Sequence, residues 1–154
     1  MAHFDYRGID IIIPVQDMLY RRIPKNTYWD IINKHGYPPE CIPPKIFSSD
    51  EEEYSVEWER YTIPQWTQSR MDELNWRDKR IENFGINNYG VMSLVTGDVR
   101  EIPLEVQYSP KEDNSAHSDI LIPISTIDLT EMREMLSDIA EIVIDVPPLD
   151  PKFD

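Results

Sequence analysis

The chain has 154 residues, a length that fits one compact domain. Its 29 aspartate and glutamate residues outnumber its 15 lysine and arginine residues, and the formal net charge is −14. This charge disfavours direct binding to nucleic acids and anionic membrane surfaces, and it favours a basic protein partner. No apolar run reaches the roughly 20 residues that cross a bilayer, and the N-terminus lacks the layout of a signal peptide, so we expect a cytoplasmic protein.

The cysteine count limits redox and metal chemistry. Cys41 is the only cysteine, which excludes an intramolecular disulfide and a cysteine-based zinc site. We expect its thiol to be a small buried group rather than a nucleophile. The sequence predicts no metal site and leaves the cofactor undefined.

The first predicted elements are a strand over residues 17–23, which Pro24 ends, and a helix over residues 28–34. The expected N-cap of that helix is Asn26 or Thr27, and Gly36 is expected to close it. A proline-rich stretch then leads to a second short strand, predicted over residues 45–48.

The middle of the chain begins with a charged turn over residues 50–53. The following segment, 54–61, alternates apolar and polar residues as a half-buried strand does, and its apolar face contains Tyr54, Val56 and Trp58. A helix is predicted from Thr67 to about residue 83, and Gly85 is expected to end it.

The last part of the chain contains the clearest helix. Asp128 is its expected N-cap, with Glu131 placed for a capping box, and its apolar face is predicted to include Met132, Leu136, Ile139 and Val143. The segments before it predict a buried strand over 89–95, a short helical segment over 96–100, a strand over 104–108 and a final strand over 120–124.

These elements do not alternate regularly between strand and helix. The sequence therefore predicts a single α+β domain with a mostly antiparallel sheet, two longer helices, a C-terminal helix and an extended acidic tail. We place the domain at residues 1–146 and the tail at residues 147–154.

The chain lacks a glycine-rich phosphate loop, a G-x-S-x-G elbow and an H-E-x-x-H motif. The strongest polar candidate is His117, whose imidazole could transfer protons at the entrance of the final strand. If the strand already begins there, Asp119 lies on the same side and could orient the ring. Otherwise the histidine only locks a loop.

Arginines on strands are the second group of candidates. Arg21 and Arg22 follow each other on the first predicted strand, so they face opposite ways and at most one is expected to enter a pocket. Such a guanidinium could bind an anionic group, or it could pair with one of the many carboxylates. Further binding candidates are Arg100, Asn114 and Trp66.

Several short motifs carry a resemblance. The segments around Tyr20-Arg21, Ser55-Val56-Glu57-Trp58 and 114–120 (N-x-x-H-x-x-I), with Arg100, resemble small prokaryotic proteins in which an arginine-bearing strand comes early and an S-V-x-W strand follows. The resemblance covers roughly residues 18–122. It implies a single prokaryotic domain and no established activity, and it directs attention to Arg21, Ser55, Arg100 and His117.

A second resemblance rests on an arginine on the first strand and serines near the second, Ser48 among them. This layout is similar to ADP-ribosyltransferase-like folds, where such residues hold NAD. The paired catalytic glutamates of that family have no match, because Glu57 and Glu59 have the right spacing but precede the strands that should come first.

Two main functions follow as alternatives. The first is a non-catalytic interaction protein, a small subunit or a neutralising partner in a prokaryotic multi-protein system. The second is a small enzyme that binds a nucleotide or NAD-like ligand through Arg21, Ser55 and His117. A nucleic-acid mimic is a third, weaker alternative. The sequence does not decide whether the chain is an enzyme.

Overall fold

A six-stranded antiparallel sheet organises the protein in a computed structural model that describes residues 11–38, 40–47, 52–71 and 76–150. The strands are β1 (Met18–Pro24), β2 (Glu53–Trp58), β3 (Tyr89–Val95), β4 (Glu105–Tyr108), β5 (His117–Leu121) and β6 (Glu141–Ile144). Their order in the sheet is β4-β5-β2-β1-β3-β6, and every neighbouring pair is antiparallel. The predicted α+β class with an antiparallel sheet is therefore confirmed.

Short helices connect these strands. They are α1 (Lys25–His35), a 3₁₀ turn (Pro44–Phe47), α2 (Pro64–Ser69), α3 (Lys79–Asn88), α4 (Thr96–Glu101) and α5 (Leu129–Ile139). Within the four stretches that the structure describes, no helix has the length and apolar character needed to cross a membrane.

One face of the sheet, which we call the core face, carries Tyr54, Val56 and Trp58, all at most 3% exposed. Every second residue of β2 is buried, which agrees with the alternation of apolar and polar residues in its sequence. Apolar side chains of α1 and α5 pack against this face, including Tyr28, Ile32, Met132 and Leu136. The indole N–H of the buried Trp58 donates a hydrogen bond to Asp17 Oδ2 over 2.9 Å.

Helices α2 and α3 pack near β1 and β3 on the opposite side, which we call the second face. Val91 and Ser93 point to that face and are buried there. Gly85 allows the two helices to approach closely, because a Cβ on it would lie 2.6 Å from Ser69 Cα. The second face of β2 and β5 is left more open, and the polar residues of those strands lie on it.

The predicted end of α1 and the predicted start of α5 are confirmed, and the predicted start of α1 is wrong. Gly36 ends α1 in the left-handed region with φ 68°, and Asp128 caps α5 by accepting from the backbone N–H of Glu131. The predicted caps Asn26 and Thr27 are wrong, because α1 begins directly after Pro24, whose fixed φ of −65° serves the N-cap position.

The strand predicted over residues 45–48 is wrong. Residues up to Phe47 form the 3₁₀ turn, in which Ile46 N–H donates to the Pro43 carbonyl, because consecutive prolines favour a tight turn there. Ser48 and the first two residues of the charged turn, 50 and 51, lie outside the described residues, and Glu53 already belongs to β2.

The single helix predicted over residues 67–83 is also wrong. Pro64 begins α2 three residues earlier, and the helix stops at Ser69 because Arg70 adopts a left-handed conformation. A separate helix, α3, starts after Asp78, which accepts from Arg80 N–H, and it contains Gly85 in its interior rather than at its end.

The final strand predicted over residues 120–124 is misplaced. Strand β5 begins at His117 rather than residue 120, and β6 follows α5 at the edge of the sheet. Val143 belongs to β6 and not to the apolar face of α5, because Ala140 already has an extended backbone. Beyond β6, Pro147 accepts from the Trp29 indole and Asp150 pairs with the buried Lys25, so this segment lies along α1.

Candidate functional site

The sheet splits between β1 and β2. Leu19 lies opposite Trp58 and Tyr20 lies opposite Glu57, and the same register would place Arg22 opposite Ser55. The pairing ends before that point, whereas β1 stays paired with β3 along its whole length. The two strands therefore separate, and a gap opens on the side of β2 that carries Ser55.

Arg21 occupies one side of this gap. Its guanidinium donates to the backbone carbonyl of Ser55 over 2.6 Å, and it lies 3.8 Å from the centre of the Tyr54 ring. The Ser55 carbonyl has no hydrogen-bond partner on β1, and it accepts from the guanidinium of Arg21 instead. Arg21 thus bridges β1 and β2 at the split as well as contributing charge.

A cavity of about 460 Å³, the β1–β2 cleft, opens at the split. Its volume lies in the range of small-molecule sites, roughly 300–1,000 Å³. Residues from β1, β2, β3, β5, α1, α2, the 3₁₀ turn and the loop before β5 line it; they are Tyr20, Arg21, Arg22, Pro24, Thr27, Ile46, Tyr54, Ser55, Val56, Glu57, Thr67, Arg70, Met71, Tyr89, Lys111, Asp113, Asn114 and His117.

Three arginines make the cleft unusually cationic for so acidic a chain. Arg22 stacks on Tyr89 with its guanidinium 3.8 Å from the ring centre, and Arg70 and Arg21 line the same cavity. Burial, and then repulsion by Arg70, lower the pKa of Arg22. None of the three forms a salt bridge with a carboxylate in the part of the chain that the structure describes.

His117 links the cleft to the loop before β5. Its Nδ1 lies 2.8 Å from the carbonyl oxygen of Ser109, and its Nε2 lies 3.3 Å from Ser55 Oγ. A carbonyl can only accept, so this geometry assigns the proton of the neutral ring to Nδ1. Nε2 is then free to accept the Ser55 hydroxyl proton, which is the arrangement that general-base chemistry requires.

Asp119 supports this arrangement from the same strand face. The strand begins at His117, so both side chains point to one side, and Asp119 Oδ1 lies 3.8 Å from His117 Nε2. Its other oxygen accepts from the Ser109 hydroxyl over 2.6 Å. Asp119 therefore fixes Ser109, whose carbonyl in turn fixes the imidazole.

Asn114 closes the loop side of the cleft. Its amide nitrogen donates to Glu57 Oε2 over 2.8 Å, and its amide oxygen accepts from the backbone N–H of Ala116. These bonds join the loop to β2 across the cavity and leave Glu57 with a neutral partner. Asn114 is thus a positioning residue at the cleft wall.

The structure brings together only some of the residues that the sequence singles out. Arg21, Ser55, Asn114 and His117 line the cleft, and Asp119 lies next to it. Arg100 does not line the cleft; its guanidinium donates to the carbonyl of Ile13 over 2.7 Å. Trp66 is half-buried on α2 and does not line the cleft.

Sequence reasoning missed Arg70, Thr67 and Tyr89. Arg70 and Thr67 reach the cleft only because α2 is short and packs on the second face, and neither position stands out in the apolar pattern. The sequence predicts that at most one of Arg21 and Arg22 enters a pocket, and this prediction is wrong. Both arginines line the cleft, because β1 and β2 separate there.

Neither Cys41 nor a metal site among the described residues belongs to the β1–β2 cleft. Cys41 is half-buried away from the cleft, and burial raises the pKa of its thiol. In the described ranges, no three histidine, cysteine, aspartate or glutamate side chains are arranged to hold a metal ion.

Comparisons of the whole chain found no matching protein family, curated protein or solved structure. Functional inference therefore depends on the cleft and on its chemistry.

Proposed function

We propose that the β1–β2 cleft binds an anionic small molecule of the nucleotide or NAD-like class. The observation that carries this proposal is the presence of Arg21, Arg22 and Arg70 around one cavity, beside Ser55 and His117. In a chain with a net charge of −14, carboxylates are plentiful, yet no described carboxylate forms a salt bridge with these arginines. Glu57 and Asp113 also line the cavity, and Glu57 partly offsets the charge of Arg22, so a ligand phosphate would neutralise the positive charge that remains.

The aromatic lining favours a ligand with a flat ring. Tyr20 and Tyr89 are half-buried in the wall of the cleft, whereas Tyr54, which also lines it, is only 3% exposed and lies under Arg21. Tyrosine rings offer stacking surfaces to a nucleobase or nicotinamide, and guanidinium forks bind phosphate oxygens in pairs. The combination supports a nucleotide-like ligand over a simple carboxylic acid.

His117 and Ser55 supply the reactive groups in this proposal. With Nδ1 bonded to Ser109, the Nε2 of His117 accepts a proton from a hydroxyl of the bound ligand or from Ser55. Ser55 positions the ligand next to this base. A role as a small enzyme on that ligand therefore remains part of the proposal.

Isothermal titration calorimetry with ADP, NAD and uncharged adenosine tests the proposal. We expect ADP and NAD to bind and adenosine to bind at least tenfold more weakly. Arg22→Gln should weaken ADP binding, whereas Arg80→Gln should not, because Arg80 is exposed and outside the cleft. Equal affinity for adenosine and ADP, or no binding of any of the three, would refute the proposal.

A second candidate function is interaction with a basic protein partner, as an accessory or neutralising subunit of a prokaryotic system. The observation that favours it is a set of exposed carboxylates along α5 and β6, namely Glu131, Glu134, Asp138 and Glu141. Recovery of a partner from native extract by the unaltered chain, but not by a variant with these four residues changed to glutamine or asparagine, would support it. Recovery of nothing by either would count against it.

A further inference from the structure

We propose that Arg22, Arg70 and Thr67 form a seat for a doubly charged phosphate group at the α2 side of the β1–β2 cleft. This inference rests on the proposed function and adds two points to it: which side of the cleft holds the phosphate, and that a terminal phosphate is preferred over a singly charged carboxylate. The organic part of the ligand then lies toward Ser55 and His117.

The backbone of Arg70 is the first observation. Its φ of 52° and ψ of 41° are left-handed, and it is the only non-glycine residue with positive φ in the described stretches. Glycine would fill this position without strain, yet the chain has an arginine there. A strained conformation at the wall of a cavity is typical of a residue kept for its side chain rather than for stability.

The second observation is the pairing of like charges. Arg22 and Arg70 line the same cavity, and Arg22 stacks on Tyr89; burial, and then repulsion by Arg70, lower the pKa of Arg22. Two guanidinium groups at one cavity gain most from a ligand that carries nearly two negative charges. A phosphate monoester carries about −1.5 to −2 at neutral pH, whereas a carboxylate carries only one negative charge.

Thr67 provides the third observation. It is 1% exposed, it lines the cleft, and its Oγ1 has no hydrogen-bond partner in the described part of the chain. A helical threonine usually bonds the carbonyl four residues earlier, but the Ile63 carbonyl already accepts the backbone N–H groups of Trp66 and Thr67. A buried hydroxyl without a partner is costly, and rotation of the Thr67 side chain toward the cleft would let a phosphate oxygen accept from it.

Calorimetry with inorganic phosphate, pyrophosphate and acetate tests the seat directly. The unaltered chain should bind phosphate and pyrophosphate and should not measurably bind acetate at the same concentrations. Arg70→Gly and Thr67→Val should each weaken phosphate binding, by roughly 10- to 100-fold for the arginine and up to about 10-fold for the threonine.

Melting temperature separates this seat from a structural role. Arg70→Gly removes backbone strain and Thr67→Val removes an unpaired buried hydroxyl, so both variants should melt at or above the temperature of the unaltered chain while binding phosphate less tightly. Arg80→Gln is the matched control and should change neither property. If Arg70→Gly and Thr67→Val keep full phosphate affinity, or if acetate binds as well as phosphate, the inference is wrong.

The two proposals fail in different ways. If ADP binds with an affinity that Arg70→Gly and Thr67→Val leave unchanged but Arg22→Gln reduces, the phosphate seat is wrong and the nucleotide proposal stands. If neither ADP nor inorganic phosphate binds, both are wrong. A third outcome is that phosphate binds, that the variants weaken phosphate binding, and that ADP binds no more tightly than pyrophosphate. In that case the phosphate seat stands and the nucleotide class of the ligand is wrong.

Discussion

His117 Nε2 lies 3.3 Å from Ser55 Oγ, although the two residues are 62 positions apart in the sequence. Strands β2 and β5 bring them together, because Glu57 pairs with His117 and Ser55 pairs with Asp119 in their antiparallel register. Ser55 and His117 are thus diagonal neighbours on the second face of the sheet.

The first prediction concerns the tautomer of His117. Because Nδ1 lies 2.8 Å from the Ser109 carbonyl, the neutral ring should carry its proton on Nδ1. Ser55→Ala should leave this tautomer unchanged, since the bond to Ser109 remains. Long-range ¹H–¹⁵N correlation spectra measure the tautomer, with His117→Asn used to assign the ring. A neutral ring protonated on Nε2 would remove His117 as the base proposed for Ser55.

The second prediction concerns the close contact between α2 and α3. A Cβ on Gly85 would lie 2.6 Å from Ser69 Cα and 2.7 Å from the Gln68 carbonyl oxygen, so Gly85→Ala must push α2 away. We expect a loss of about 1–3 kcal/mol in the free energy of unfolding. Phosphate affinity should also fall, because Arg70 follows directly after α2.

Asn87→Ala is the control for this experiment, since Asn87 is exposed on the same helix. It should change the free energy of unfolding by less than about 0.5 kcal/mol. Chemical denaturation measures both variants. Gly85→Ala with unaltered stability and unaltered phosphate binding would mean that the helix contact does not set the position of Arg70.

The third prediction is a loss of stability at high pH. Burial raises the pKa of Tyr54 from 10.0 to about 12, despite the opposing effect of Arg21. In the unfolded chain this phenol loses its proton near its ordinary pKa, so between the two values the unfolded state binds fewer protons and stability falls as pH rises. The stabilisation is complete below pH 10 and is lost as pH approaches 12. Its size is roughly 2–3 kcal/mol at about 1.4 kcal/mol per unit.

Tyr54→Phe isolates this effect. Its hydroxyl makes a long contact of 3.5 Å to the Ile46 carbonyl and also interacts with the Arg21 side chain, so the substitution should cost about 1 kcal/mol or less at neutral pH. Unfolding free energies measured across this pH range should fall less steeply for the variant than for the unaltered chain. Tyr20 and Tyr28 also have raised pKa values and remain in both proteins, so only the difference between the two slopes reports on Tyr54. Identical slopes would contradict the prediction.

Local patterns predicted the parts of the fold that depend on local chemistry. The alternation of Tyr54, Val56 and Trp58 identified β2 because one face of that strand is buried. Asp128 and Gly36 marked helix ends because an aspartate cap and a left-handed glycine act through neighbouring backbone groups. Such features require no knowledge of distant residues.

Features that depend on distant contacts were not predictable. The separate helices α2 and α3 arise where Arg70 adopts a conformation that its own propensity disfavours, and only tertiary packing can impose it. The sequence grouped Arg21, Ser55 and His117 around one ligand, but it did not predict the end of the β1–β2 pairing that makes them line one cavity. Strand register is a property of the sheet and not of any single strand.

Chemical-shift mapping of the amide resonances during titration with ADP tests the central claim most directly. We predict saturable changes that are concentrated at Arg22, Ser55, Arg70, Tyr89 and Asn114, with small changes on α5 and β6. The same titration with adenosine should produce much weaker changes. No saturable change, or changes centred on α5 and β6 rather than on the β1–β2 cleft, would contradict the claim that this cleft binds a nucleotide-like anion.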